Sequence, residues 1–407
     1  MTDLSRRTML ASGTAMGLSL AAGTARAQAP AGRGRGAGRG GPTPPPAIER
    51  FDPALDALID VSSPIEHIVS DGFQWCEGPV WVGGADGYLL CSDPRANQIM
   101  QWSPAGGLKV WLHPSGLQTP ANPDLDREPG TNGLFLGRGG LACSDSGTRA
   151  IVAIDLNTKK RTILTDHFEG KRYNSTNDLI VSPTTKQIFF TDPPYGLINK
   201  ATPAQRGQYI SPERQMDYMG VFRLDPDNKV TLLGKYNLPN GIGMSPDGRT
   251  LYTTDSTLGW IAHTLDAQGN KLSERVFIDL KAENINPRGD GLKVDADGNL
   301  WMSGDSGIGI FNSAGHRIGR IRIYGAEILP FAGATSWSAD REAVRRKVNA
   351  WIRTSGAFDG VVDFQKAVAD PTDPSRLAKG FDNGDHLHPN AAGQKAMGEA
   401  IDLKLFQ

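Results

Sequence analysis

Five oxygen-bearing residues recur at a spacing that would bring them to one place. Glu77, Asn132, Asn177, Asn240 and Asp290 each open a short apolar run, and successive openers stand 55, 45, 63 and 50 residues apart. A second apolar run follows each opener and closes on an acidic turn: Cys91-Ser92-Asp93, Cys143-Ser144-Asp145, Thr191-Asp192, Thr254-Asp255 and Ser303-Gly304-Asp305. Opener and closing aspartate are 13 to 16 residues apart each time. One Asn at the start of a strand is ordinary turn chemistry. Five openers in register, three amides and two carboxylates, form a set of hard oxygen donors suited to Ca²⁺, with Mg²⁺ or Mn²⁺ as alternatives. With so few carboxylates, water would complete the shell. An open site of that kind polarises a carbonyl and lowers the pKa of an attacking water.

The elements that must position these residues are strands. Val80-Trp81-Val82 leads through Gly83 to Gly87 into Tyr88-Leu89-Leu90, Ile242 to Met244 leads through Ser245-Pro246-Asp247-Gly248 into Thr250 to Thr253, and Leu292 to Val294 leads through Asp295-Ala296-Asp297-Gly298 into Asn299 to Met302. Asp-Gly between apolar runs marks a hairpin, because glycine accepts the positive φ that such turns need. Third and fourth strands follow, as in Ala150 to Asp155 and Thr162 to Leu164. Four strands per unit, repeated at this length, predict an all-β fold of the β-propeller kind over residues 48–324, with the openers lining one axis. Five blades are recognisable. Ile65 to Val69 is expected to close the last blade as an N-terminal strand.

Composition narrows the class further. The chain has 407 residues and a net charge of -1, which argues against a nucleic-acid partner. Seven His and three Cys suggest neither a zinc cluster nor a disulfide framework, and Cys91 and Cys143 read as buried thiols. No run is long and apolar enough to span a membrane. Residues 1–27 read as a twin-arginine signal peptide: Ser5-Arg6-Arg7-Thr8-Met9-Leu10, an apolar stretch, then the Ala25-Arg26-Ala27 cleavage site, which predicts export to the periplasm or beyond. Residues 28–47 form a Gly/Arg/Pro tract that buries no apolar surface and reads as a disordered linker. Tyr195, after Pro193-Pro194, is expected at the pocket mouth, where its ring would stack on a sugar. The long excursion from Ile198 to Met219 has the length of a lid.

The segments Gly72 to Trp81, Ser175 to Leu179, Phe190 to Gly196, Leu238 to Gly241 and Gly289 to Leu292 resemble, in this order, the regucalcin and gluconolactonase family of six-bladed lactonases. The resemblance covers residues 48–323. It implies that Glu77, Asn240 and Asp290 bind a divalent metal, with Ca²⁺ the first choice and Zn²⁺, Mg²⁺ or Mn²⁺ admissible. It places Asn177 near the metal or its water and Asn132 near the substrate, and makes Asp290 the base that takes the water's proton. The activity implied is hydrolysis of a lactone or a related sugar-derived ester. The chemistry agrees with the residues: a lactone carbonyl needs a Lewis acid, a water and a base. None of the histidines between 48 and 323 (His67, His113, His167, His263 and His316) stands in a recognisable catalytic motif.

Residues 325–407 differ in kind. Ile328 to Phe331 reads as a strand, Ser338 as the cap of a helix with Val344, Val348, Trp351 and Ile352 on one face, and Val361 to Phe364 as a second strand. A final helix aligns Met397, Ile401 and Leu405. This α/β segment resembles the C-terminal end of SGNH (GDSL-type) esterases, whose Asp-x-x-His-Pro motif would here supply Asp385 and His388. The front half of such an enzyme, with its serine turn, is missing. Gly304-Asp305-Ser306 spells the nucleophile motif inside a propeller hairpin. The alternatives to a lactonase are therefore an ester hydrolase using Asp385 and His388, a propeller that binds sugar or metal without catalysis, or an inactive fusion.

Overall fold

The computed structural model describes residues 48–401 apart from 64, 66–67, 70–71, 85, 123–125, 198–210, 256–257, 279–284, 286–288, 305–306, 323, 355–357 and 359. The signal peptide, the linker, the candidate lid up to residue 210, His67, Asp305, Ser306 and Leu405 lie outside the described residues. The described residues divide into two compact units, one within 66–305 and 309–318, the other within 48–65, 307–308 and from 319 onward.

The fold is a β-propeller of five recognisable blades. Blade one is Glu77–Val82, Tyr88–Asp93, Gln98–Ser103 and Gly107–Leu112; blade two is Thr131–Gly137, Gly140–Asp145, Ala150–Ile154 and Arg161–Thr165. Blade three is Leu179–Val181, Ile188–Asp192, Met219–Leu224 and Val230–Tyr236, and blade four is Pro239–Met244, Thr250–Asp255, Gly259–Leu265 and Lys271–Ile278. Blade five is Leu292–Val294, Leu300–Ser303, Gly307–Phe311 and Arg317–Arg322. Each is an antiparallel meander in sequence order. The Asp-Gly turns form as the sequence demands, with Gly248 at φ 73° and Gly298 at φ 84°.

The closing strand is not where the sequence suggested. Ile48–Arg50 pairs antiparallel with the outer strand of blade five, Ile48 opposite Ile321, and Glu49 binds Arg320 and Arg322. The described part of Ile65 to Val69 is not a strand. Ile48 and Glu49 won that place because an apolar residue and a carboxylate meet an apolar residue and two arginines.

Alternation along the inner strands explains the core. Successive side chains point to opposite faces of a strand, so each blade feeds two layers. Leu141 and Cys143 pack with Val80, Leu90 and Ile99 of blade one, whereas Ala142 between them packs with Leu179, Phe190 and Phe222 of blade three. In blade three, Phe190 faces back toward blade two while Phe189 packs with Ile242, Met244 and Leu251 of blade four. Tyr252, Trp260 and Phe277 then join Leu292, Leu300 and Phe311 of blade five. The inner strands are thus apolar on both faces.

Near the axis the backbones nearly touch. A Cβ added at Gly78 would lie 2.3 Å from the Asn132 carbonyl oxygen, one at Gly133 2.5 Å from Asp178 Oδ1, and one at Gly241 2.3 Å from the Asp290 carbonyl oxygen. The residue after an opener is therefore glycine where the next blade's backbone fills the space, and the Gly241 amide donates to that Asp290 oxygen at 3.2 Å.

In the second unit, Tyr324–Ala326 pairs in parallel with Gly360–Val362, joined through helix α1 (Ala339–Thr354) and followed by α2 (Phe364–Val368) and α3 (Ala391–Glu399). The strand falls at 324–326 and not at 328–331. Helix α1 also turns a different face inward: Glu342, Arg345, Asn349 and Ile352 are buried, while Val344 and Trp351 are more than half exposed. Arg345 is held by Glu342, by Gln365 and by the Ile328 carbonyl, and Asn349 bonds both backbone groups of Ile328. That polar network occupies the interior, which leaves part of the apolar stripe uncovered.

Gly241→Ala places a methyl carbon against backbone that has no side chain to move. It is expected to lower unfolding free energy by about 1–3 kcal/mol in urea denaturation, whereas Gly139→Ala, with open space at its Cβ, tests only the strain of its positive φ and should cost less.

Candidate functional site

The repeated opener and closer work as a pair. In three blades the closing aspartate grips the loop that delivers the opener. Asp93 Oδ2 accepts from the Gln74 amide at 2.7 Å, Asp192 accepts from the Asn174 and Ser175 amides at 2.8 and 2.9 Å, and Asp255 Oδ2 accepts from the Leu238 amide at 2.8 Å. These donors stand two or three residues ahead of Glu77, Asn177 and Asn240. The hydroxyl preceding the closing aspartate reaches the next blade: Thr191 Oγ1 donates to the Asn240 carbonyl and Thr254 Oγ1 to the Asp290 carbonyl, both at 2.6 Å, and Ser92 meets Thr131 at 3.0 Å. Blade two departs from the pattern. Asp145 binds Arg161 and the Thr148 amide, and Ser115 Oγ accepts from the Thr131 amide instead.

Of the predicted residues, Glu77, Asn240, Asp290 and Tyr195 come near one another. Glu77 accepts from Trp75 Nε1 at 2.7 Å. Its carboxyl is pushed well above the usual range, first by burial and then by the negative charges of Asp290, Glu128 and Asp178. Asp290 is also raised, chiefly by burial, while a hydrogen bond from Asn240 works the other way. Asp290 keeps an exposed surface. Asn240 Nδ2 approaches the Tyr195 hydroxyl at 3.5 Å, which joins Tyr195 to the same group. Asn132 is buried, near enough to the Glu128 carboxyl to pull its pKa downward. Asn177 is buried too, its carbonyl accepting from the Gly133 amide at 2.8 Å and its amide donating to Thr191.

Several partners escaped the sequence reading. Glu128 is buried four residues before Asn132, and burial raises its carboxyl although Arg127 opposes the shift. The guanidiniums of Arg95 and Arg127 lie 5.1 and 4.8 Å from the centre of the Trp75 ring. Asp178 stands where other blades have glycine. It accepts from the Ile242 amide at 3.3 Å and faces Lys293 Nζ at 3.5 Å, a buried pair between blades three and five. The available signal was an acidic residue close to two of the openers, Asp178 directly after Asn177 and Glu128 four residues before Asn132, but repeats draw attention to positions that match.

The chemistry of the donor set fits a hard cation. Glu77 and Asp290 repel each other, and what Glu77 gains is one indole N–H. Among the described residues no three His, Cys, Asp or Glu side chains form a metal-holding group, so a cation here needs amide oxygens beside the two carboxylates. Asn240 stands against Asp290 to supply one.

In the second unit His388 Nδ1 lies 2.6 Å from Asp385 Oδ2, and His386 Nδ1 2.5 Å from Asp382 Oδ2. After Gly304 the chain continues as strand Gly307–Phe311, not as the helix a nucleophile turn requires. Cys91 and Cys143 are free and buried, as expected, while Cys76 is free and exposed. No helix among the described residues is long and apolar enough to cross a membrane.

A family model described as the SMP-30/Gluconolactonase/LRE-like region matches residues 75–330, and a GDSL-like lipase/acylhydrolase model matches residues 305–401. A gluconolactonase of Zymomonas mobilis is 40% identical over 284 residues, which span 67% of this chain and 76% of that protein. Regucalcin of Xenopus laevis is 25% identical over 245 residues, 59% of this chain and 71% of that one. The structure of a gluconolactonase from Xanthomonas campestris superposes with a TM-score of 0.53 at 28% identity, over 69% of this chain and 87% of that one.

Asp192 offers a test of the closing aspartates. Burial outweighs its hydrogen bonds and raises it to about 7, above the roughly 3.9 of an unfolded aspartate. The folded state therefore holds the proton more tightly. Its stabilising contribution is complete below pH ~4 and is lost as pH rises through about 7. The urea midpoint in chelator-containing buffer should fall from pH 5 to pH 8, and fall less steeply in Asp192→Asn; an equal slope would assign the effect elsewhere.

Proposed function

Since the chain belongs to the SMP-30/gluconolactonase/LRE-like family, we propose that it is an exported, metal-dependent hydrolase that opens a sugar-derived lactone. The observation that carries this reading is the nearness of Glu77 and Asp290, two mutually repelling carboxylates, with Asn240 beside Asp290.

Glu77, Asn240 and Asp290 would hold the cation, Ca²⁺ before Zn²⁺, Mg²⁺ or Mn²⁺. When bound, such a cation polarises the lactone carbonyl and acidifies water. Asn177 orients the water. Asp290 takes its proton as the water oxygen bonds to the carbonyl carbon, then returns it to the ring oxygen as the acyl–oxygen bond breaks. One water is consumed and a hydroxy acid leaves. Asn132 and Tyr195 hold the substrate, the Tyr195 ring beside Asn240.

The Asp385–His388 bond favours one competing reading, an SGNH-type ester hydrolase. Its motif Gly304-Asp305-Ser306 leads into the strand Gly307–Phe311, where a nucleophile turn leads into a helix. We assign residues 325–407 no part in lactone opening.

Asp290→Ala and Glu77→Ala are each expected to lower kcat/KM for lactones by at least about 10³-fold, and a chelator to do the same reversibly. His388→Ala should leave lactone hydrolysis unchanged, and a serine-directed phosphonate should label nothing. Full activity in Asp290→Ala, or labelling lost on His388→Ala, would move the chemistry to the tail. Export predicts that N-terminal sequencing of periplasmic or secreted protein begins at Gln28.

A further inference from the structure

Trp75 stands between a strand end and a predicted metal ligand. The Gln74 amide donates to Asp93 Oδ2 at 2.7 Å, and Glu77 pairs with Ser92. Both anchors come from the end of the strand Tyr88–Asp93, so the backbone is fixed on either side of Trp75 and Cys76. From there the Trp75 indole Nε1 donates to Glu77 Oε1 at 2.7 Å, and no other donor bonds that carboxyl among the described residues. The ring is held in turn. The Arg95 and Arg127 guanidiniums lie 5.1 and 4.8 Å from its centre, within the range of a cation–π contact. The Arg127 amide donates to the Gly196 carbonyl at 2.9 Å. Gly196 follows Tyr195, whose hydroxyl meets Asn240.

A free glutamate side chain samples many rotamers, and a cation binds it well only when its oxygens already point the right way. Outer-shell hydrogen bonds supply that orientation to ligating carboxylates. One bond to Oε1 restrains the Glu77 carboxyl and leaves Oε2 to a cation. Within the metal-dependent reading above, on which this rests, we propose that Trp75 is a positioning residue: its N–H presets Glu77 for the cation, and Arg95 and Arg127 hold the ring. Trp75 itself touches neither cation nor substrate. The guanidiniums make the role checkable by sign. By charge alone, a guanidinium near the site repels a cation; by holding Trp75, it helps one bind.

The test titrates Ca²⁺ calorimetrically into chelator-stripped wild type, Trp75→Phe and Arg95→Gln, with thermal melting in chelator alongside. Trp75→Phe keeps a ring and loses the N–H. It should raise the Ca²⁺ Kd by about 10- to 100-fold, and saturating Ca²⁺ should restore the wild-type kcat on glucono-δ-lactone. Arg95 is exposed, so Arg95→Gln should melt like wild type while raising the Kd by about two- to fivefold; it decides the matter if Trp75→Phe fails to fold. An unchanged Kd in Trp75→Phe, with or without a lower melting temperature, would make Trp75 a packing residue and overturn the assignment. So would a kcat that Ca²⁺ cannot restore, or unchanged or tighter Ca²⁺ binding by Arg95→Gln. If wild type binds no Ca²⁺, the assignment falls together with the metal reading. If Ca²⁺ binds through Trp75 but no lactone is opened, the hydrolase reading fails and the positioning role stands.

Discussion

The site depends on how closely the inner strands of neighbouring blades approach. At Gly78, Gly133 and Gly241 the next blade's atoms fill the space a side chain would need. That contact fixes the spacing of the openers more firmly than side-chain packing could, since backbone has no rotamers through which to yield. The hydroxyl before each closing aspartate adds a directional tie, as Thr191 to Asn240 and Thr254 to Asp290 show. The aspartates Asp93, Asp192 and Asp255 hold the loops on the other side. An opener such as Asn240 is thus clamped by its own blade and by its neighbour.

That rigidity brings carboxylates together against their own repulsion. Burial and neighbouring charge push Glu77 and Asp290 up, and burial pushes Glu128 up. Elsewhere the fold settles its charges: Asp145 with Arg161, Asp178 with Lys293, Glu49 with two arginines. The contrast locates function. Carboxylates held in conflict, in a fold that pairs other buried carboxylates with cations, point to a ligand that resolves the conflict.

Much of this was legible because propeller blades repeat. The period gave the five openers, the Asp-Gly turns gave the hairpins, and alternation gave a core apolar on both strand faces. What stayed hidden does not repeat. Asp178 replaces a glycine in one blade only, and Glu128 has no counterpart in the others. The closing strand at Ile48 to Arg50 was passed over because three residues carry almost no periodic signal, and its pairing rests on ion pairs with Arg320 and Arg322. In the tail, α1 showed the limit of reading amphipathicity: Val344, Val348 and Trp351 align, yet Arg345, Glu342 and Asn349 take the buried face because Ile328 and Gln365 offer them partners. A periodicity reports which side could be buried, while the partners available decide which side is.

Glu77, Asn240 and Asp290 are proposed to hold one divalent cation. Calorimetric titration of Ca²⁺ into chelator-stripped protein tests it most directly. The account predicts one cation per chain in wild type and none in Glu77→Gln with the fold intact; equal binding by both proteins, or no binding by wild type to any of Ca²⁺, Zn²⁺, Mg²⁺ and Mn²⁺, would contradict it.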